Sequence, residues 1–275
     1  VSKSKKKTEH SWTGPALELR NLSLRFDGHS ALDNLTLTVD PGLSVAVVGP
    51  NGAGKSTLFN VLAGILSPGS GEVRIHGHLP AQHLCLAYVA QSSHVDWTFP
   101  VSVEEVVMMG RVGLLGLFRQ PTRKDWDFVR ESLSRVHLED LGRRQISELS
   151  GGQKQRMFIA RALAQEADPI LLDEPLAGLD IPSQDQILNI LDDLKRRGIT
   201  VLFATHDLEL ASRFDRILLL NRRLIAFGDR DEVLTTNNLT EAYGGTMQVI
   251  ETPEGRIMIG DSGGHHGHEP VGRHG

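Results

Sequence analysis

Cysteine is nearly missing: 275 residues contain one, Cys85, so an internal disulfide framework is excluded and the usage fits a reducing compartment. Long apolar runs are missing too. The longest notable one, Val112 to Phe118, is far short of the roughly 20 residues a membrane-spanning helix needs, and no secretory signal is visible. There is no excess of positive charge, since 29 Lys and Arg face 34 Asp and Glu for a net charge of -5. That balance excludes a global basic field and gives no reason to expect a nucleic-acid partner. No internal repeat is apparent. These absences predict a soluble, cytosolic chain. If it works at a membrane, another subunit must supply the spans. What remains, 40% apolar residues over this length, suits one large globular domain or two small ones with an ample core.

The most informative stretch runs from Gly49 to Thr57, GPNGAGKST. Gly49, Gly54, Lys55 and Ser56 fill the pattern Gly-x4-Gly-Lys-Ser/Thr, with Pro50, Asn51, Gly52 and Ala53 between and Thr57 following. Glycines let the backbone curl until its N–H groups point inward as a nest for phosphate oxygens. Lys55 can then reach the β- and γ-phosphates, and the Ser56 hydroxyl can ligate Mg2+. Leu43 to Val48 reads as a buried strand before the loop, and Leu58, Val61, Leu62 and Ile65 recur at helical spacing after it. A helix that starts at the loop aims the positive end of its dipole at the nucleotide.

Around this loop the pattern changes along the chain. The opening residues carry Lys3, Lys5, Lys6 and Lys7 and are expected to be a disordered, solvated tail, with contact to anionic headgroups as the other reading. Leu17, Leu19, Leu22, Leu24 and Phe26, then Leu35, Leu37 and Val39, predict antiparallel strands with turns near Asp27-Gly28 and Pro41-Gly42. Phe26 closes one of them, as core or as a platform for an adenine ring. Short strands are expected at Glu72 to Ile75 and Leu84 to Val89, the latter leading to Ala90-Gln91. From about Pro100 to Leu149 the spacing turns helical, with Thr122 as a cap before Trp126, Val129, Leu133 and Val136. Val112 to Phe118 is expected to be an apolar loop marking an interface, or else a helix packed in the domain's own core. Ser150 is placed to cap a helix reaching about Glu166, and Asp185 to Arg197 reads as an amphipathic helix closed by Gly198. Ile170 to Leu172, Thr200 to Ala204 and residues 217–220 read as strands. Their alternation with helices predicts a mainly parallel sheet covered on both faces. A hairpin is expected from Met247 to Ile250 and Arg256 to Ile259, before a tail with His265, His266, His268 and His274.

Phosphoryl transfer to water needs a phosphate cradle, Mg2+, an oriented water and charge stabilisation. Asp173, ending a hydrophobic strand, can hold Mg2+ beside Ser56, and Glu174 follows as general base or polariser of the attacking water. With Leu149-Ser-Gly-Gly-Gln153, this set resembles the nucleotide-binding subunit of ABC transporters, over residues 16 to about 230 and with each motif in the expected order. The resemblance implies an α/β fold: a P-loop NTPase of ABC type, with a mainly parallel sheet core, an antiparallel β subdomain and a helical subdomain. It divides the chain into a tail at 1–14, a RecA-like core with the β subdomain at 15–99 and 155–235, and a helical subdomain at 100–154. A hairpin-bearing extension at 236–261 and a His- and Gly-rich tail at 262–275 follow.

It also implies roles. Phe26 matches the adenine-stacking aromatic, where tyrosine is more usual, and Gln91 matches the Q-loop glutamine near Mg2+ and the water. Ser150, Gly151, Gly152 and Gln153 match the signature offered in trans to a second copy, with ATP buried between two head-to-tail chains. Asp180 matches the D-loop and His206 the histidine at the γ-phosphate. Nothing catalytic is degenerate, so an active ATPase using ATP and Mg2+ is expected.

The stretch Gln91 to Arg111 looks like the manganese, zinc and iron uptake branch of the family. That implies multi-span permease partners, an extracytoplasmic metal-binding protein and a place on the cytoplasmic face of the membrane. The histidine tail reads as a solvated tail with incidental metal affinity or as a metal sensor. Competing readings are another cargo such as an iron chelate, export, a soluble ABC ATPase, and a metal-binding protein that uses nucleotide only structurally.

Overall fold

The computed structural model describes residues 14–80, 86–90, 95–115, 119–244, 247–252 and 255–260, the last two ranges as backbone. The chain opens with β1 (Leu17–Phe26), β2 (His29–Val39) and β3 (Ser44–Val48), then α1 (Lys55–Leu62), β4 (Ser70–Ile75) and β5 (Ala87–Val89). Helices follow: α2 (Val103–Met108), a 3₁₀ turn at Met109–Arg111, α3 (Val112–Leu115), α4 (Arg123–Arg135) and, after two more 3₁₀ turns, α5 (Gly151–Ala164). The second half alternates as β6 (Ile170–Asp173), α6 (Ile181–Arg196), β7 (Val201–Thr205), α7 (Leu208–Ala211), β8 (Arg216–Asn221) and β9 (Arg223–Gly228). It closes with α8 (Arg230–Val233), α9 (Thr236–Tyr243), β10 (Met247–Thr252) and β11 (Gly255–Gly260).

Six strands form the central sheet in the order β5-β6-β7-β3-β8-β9, parallel except for β9 at the edge. All of β3 is buried, as a parallel strand covered on both faces requires. Its side chains divide by pleat. Val45 and Val47 join Leu171, Leu202 and Ala204 against α1 and the antiparallel sheet β2-β1-β4. Ala46 and Val48 join Ile217 and Leu219 against α7, α8 and α9. Further along the sheet, Ile170, Leu172 and Phe203 pack on α5 and α6 and, through them, on the helices of residues 103–135. No helix among the described residues is long and apolar enough to cross a membrane.

Three local expectations change. Helix α6 begins at Ile181 and not at Asp185, because Pro182 sits in the first turn, where a missing N–H costs nothing. Val112–Leu115 is a short helix, the second of its two readings, with Val112 and Leu114 exposed and Leu115 packed on the main core, while 116–118 lie outside the described residues. Strand β9 was not expected at all. It turns back from β8 through the single residue Arg222 at φ 59, with no glycine to announce the hairpin. Strand β5 is described only from Ala87, and Gln91 lies outside the described residues. The hairpin at 247–260 is formed, with Thr252 opposite Gly255.

Candidate functional site

Strand β3 ends at Val48 and α1 begins at Lys55, so Gly49–Gly54 must turn the chain back within six residues. Two glycines are required by contact. A Cβ on Gly49 would lie 2.0 Å from the Leu220 carbonyl oxygen, and one on Gly54, at φ 97, would lie 2.6 Å from that of Ala31. Gly54 is the N-cap of α1 and no side chain caps the helix. The first N–H groups of α1 therefore lack a side-chain acceptor and face the loop's concavity, an anion site by geometry. The loop is held from outside: the Arg222 N–H donates to the Ala53 oxygen at 2.7 Å, and the Arg222 oxygen accepts from Asp33 N–H at 2.7 Å. Gly52–Thr57, with Asn51, Ala31 and Glu174, line a cavity of about 330 Å³.

Lys55 is buried, and its Nζ donates to the carbonyl oxygens of Gly49 at 2.8 Å and Pro50 at 3.2 Å. Burial holds its pKa below the ordinary lysine range, against the opposing pull of Glu174 and Asp173. Asp173, at the end of β6, is 4% exposed. Burial pushes its carboxyl above the usual range, opposed by hydrogen bonds from the Ser56 and Tyr88 hydroxyls. The Tyr88 contact spans 3.1 Å. A hydroxyl and a carboxylate in contact, beside a phosphate cradle, are a donor set suited to Mg2+, which prefers oxygen and usually needs only one or two carboxylates plus substrate phosphates.

Glu174 leaves the strand in a left-handed conformation, φ 47, with its N–H on the Ala204 oxygen at 3.1 Å. This kink swings the side chain out of the strand's path, so it borders the phosphate cavity and also the two neighbouring cavities. The His206 Nδ1 lies 4.0 Å from Glu174 Oε1, past the end of β7, with the imidazole well exposed. The loop beyond His206 is fixed by Asp207, whose carboxylate caps α7 through the N–H groups of Glu209 and Leu210.

The structure thus brings together Gly49–Thr57, Asp173, Glu174 and His206. It keeps the signature apart. Among the described residues, none of Ser150–Gln153 lines the phosphate cavity, although Gly151 borders an adjacent one of about 360 Å³ that Glu174 also reaches. Ser150 caps α5: its hydroxyl accepts from the Gln153 N–H at 3.3 Å, and the Gln153 carboxamide accepts from the Ser150 N–H at 2.9 Å. Asp180 is exposed at the N-cap position of α6 and makes no capping bond with its side chain. Phe26 is 45% exposed at the tip of the β1–β2 hairpin, the same hairpin that sends Ala31 to the cavity wall. Sequence reasoning missed Tyr88 and Ala31. For Tyr88 the available signal was strand pairing, since β5 runs beside β6 and places it on the face that carries Asp173.

A phosphate cradle at the end of β3, with two carboxylates at the end of β6, one strand beyond its neighbour β7, defines a P-loop nucleoside triphosphatase. The family model described as ABC transporter matches residues 32–177, and the chain belongs to that family as an ATP-binding, ATP-hydrolysing subunit. It is 47% identical over 242 residues to a manganese transport system ATP-binding protein of Synechocystis, covering 84% of this chain and 93% of the relative. A zinc transport system ATP-binding protein of Treponema pallidum is 42% identical over 249 residues, covering 90% and 94%. An inward-facing metal-chelate type ABC transporter superposes with a TM-score of 0.76 at 32% identity, covering 89% of this chain and 96% of that one.

Proposed function

We propose that the chain energises import of a divalent transition metal, manganese, zinc or iron, from the cytoplasmic face of a membrane. Its partners in this reading are a second copy of itself, multi-span permease subunits and an extracytoplasmic metal-binding protein. The observation that carries the catalytic part is Glu174, kinked out of β6 to border the phosphate cavity beside the Ser56–Asp173 pair. The cargo rests on the transport systems named for the relatives above.

In this mechanism ATP binds along the Gly49–Thr57 loop, with Phe26 stacked on its base. Lys55 exchanges the carbonyls of Gly49 and Pro50 for phosphate oxygens, its charge now paired with charge. Ser56, Asp173 and Gln91 would hold Mg2+, which when bound would supply positive charge to offset that of the triphosphate. Glu174 orients a water and takes its proton as the water oxygen bonds to the γ-phosphorus and the bond to the ADP oxygen breaks. His206 donates to a γ-phosphate oxygen, where charge develops. The second copy presents Ser150, Gly151, Gly152 and Gln153 at the N-terminus of its α5, and Asp180 beside them. ATP then favours the closed pair only by its extra contacts in that state, and hydrolysis removes them. In this reading residues 100–154, with the exposed Val112 and Leu114 of α3 among them, form the permease-facing subdomain; 15–99 and 155–235 form the core.

Uptake of a panel of divalent metals by the complex reconstituted with its permease tests the cargo. ATP-dependent accumulation of manganese, zinc or iron is expected. Uptake of none of these alongside uptake of a chelate would assign the chain to the second reading, which the metal-chelate type neighbour favours.

A further inference from the structure

Tyr88 has no place in the mechanism above, yet its hydroxyl donates to Asp173 Oδ2 at 3.1 Å. The contact follows from strand register. In the parallel pair, Tyr88 stands opposite Leu171 and Val89 opposite Leu172. Asp173 lies two residues beyond Leu171 and so shares its face, which is also the face of Tyr88. That face is covered by α1, and the Tyr88 ring packs edge-on against Phe59 at 6.2 Å and 87°. The ring is thereby held from the side, and its hydroxyl is directed at one carboxylate oxygen.

A carboxylate at a strand end can rotate about its last bond, whereas Mg2+ demands near-octahedral oxygen placement. We propose that Tyr88 is a positioning residue: its hydroxyl fixes the orientation of the Asp173 carboxylate for Mg2+. The inference rests on the ATPase reading above and adds a residue to it. The ring and the hydroxyl have separable duties: the ring packs against Phe59, and the hydroxyl bonds Asp173.

The test uses the full chain and the variant Tyr88→Phe, which keeps the ring and deletes one oxygen. ATP affinity in EDTA should stay within about twofold of the unsubstituted chain. The Mg2+ concentration for half-maximal turnover should rise about 10-fold, the usual scale for losing a partner of a metal-ligating group. Phe59→Leu, which leaves the hydroxyl in place, should keep the normal Mg2+ requirement. An unchanged Mg2+ requirement in Tyr88→Phe would overturn the proposal. So would an equal loss of ATP affinity in EDTA, or a raised Mg2+ requirement in Phe59→Leu alone. If the unsubstituted chain itself binds no ATP, the ATPase reading fails first, and the two failures are distinct.

Discussion

Helix α1 begins with Gly54, which has no side chain to cap the helix, and its first N–H groups face a cavity walled by the chain's own loop and by Glu174. Helix α5 begins with Ser150 and Gln153 in a reciprocal box, exposed at the surface and outside that cavity. One helix start is built around something it must receive. The other is made rigid in advance and offered outward. In the proposed mechanism the first start serves the chain's own nucleotide, and the second serves the nucleotide of another copy.

The largest test of this contrast falls on the enclosed half. Glu174→Gln keeps the shape and deletes the base, so turnover should fall about 10²- to 10⁴-fold while ATP still binds. A paired species should accumulate with ATP on a sizing column, and near-normal turnover would remove Glu174 from the mechanism. Gly54→Ala attacks the same half through its backbone. With φ 97 and a Cβ 2.6 Å from the Ala31 oxygen, it should cost about 1–3 kcal/mol of stability and weaken ATP binding, read by melting with and without ATP. An unaltered melting curve would show that the loop relaxes freely.

Ser150→Ala probes the offered half. ATP binding to the single chain should persist, turnover should fall about 10-fold or more for the lost donor, and the lost cap should cost about 1 kcal/mol. Weakened ATP binding in the isolated chain would mean that the two halves are not separate. The smallest effect is expected at the opposite end of β3, where Asp215 accepts from Ser44 N–H and Oγ and pairs with Lys195 Nζ at 2.5 Å. Burial raises the Asp215 pKa, but the bonds from Lys195 and Ser44 together outweigh it and hold the carboxyl below its ordinary 3.8. A depressed carboxyl stabilises the fold above its unfolded pKa and loses that contribution as pH falls through the lower, folded value. Asp215→Asn should therefore cost about 1 kcal/mol at neutral pH, a figure already reduced for partial exposure. The cost should vanish in strong acid, with ATP affinity untouched throughout.

Legibility in the sequence followed the same division. The Gly49–Thr57 loop could be read because its fixed positions each demand a residue type: glycine for close approach, lysine for charge, serine for a hydroxyl. Ser150 could be read as a cap because the box places its partner three residues away. Tyr88 could not, because its partner lies 85 residues further on and only strand order brings them together. Strand β9 escaped because Arg222 takes a turn conformation that usually marks glycine or asparagine. Pro182 is a helix breaker in most positions and a helix starter in this one.

Arg222 has one more consequence. Its amide and its carbonyl join Ala53 of the phosphate loop to Asp33 of the β1–β2 hairpin, the hairpin that carries Phe26 at its tip. Both links are made by main-chain atoms, so ordinary replacement of any of the three side chains leaves the wire intact. The part expected to hold the base and the loop where the triphosphate would lie are thus two main-chain hydrogen bonds apart. Such a linkage is carried by topology and needs no signature amino acid of its own.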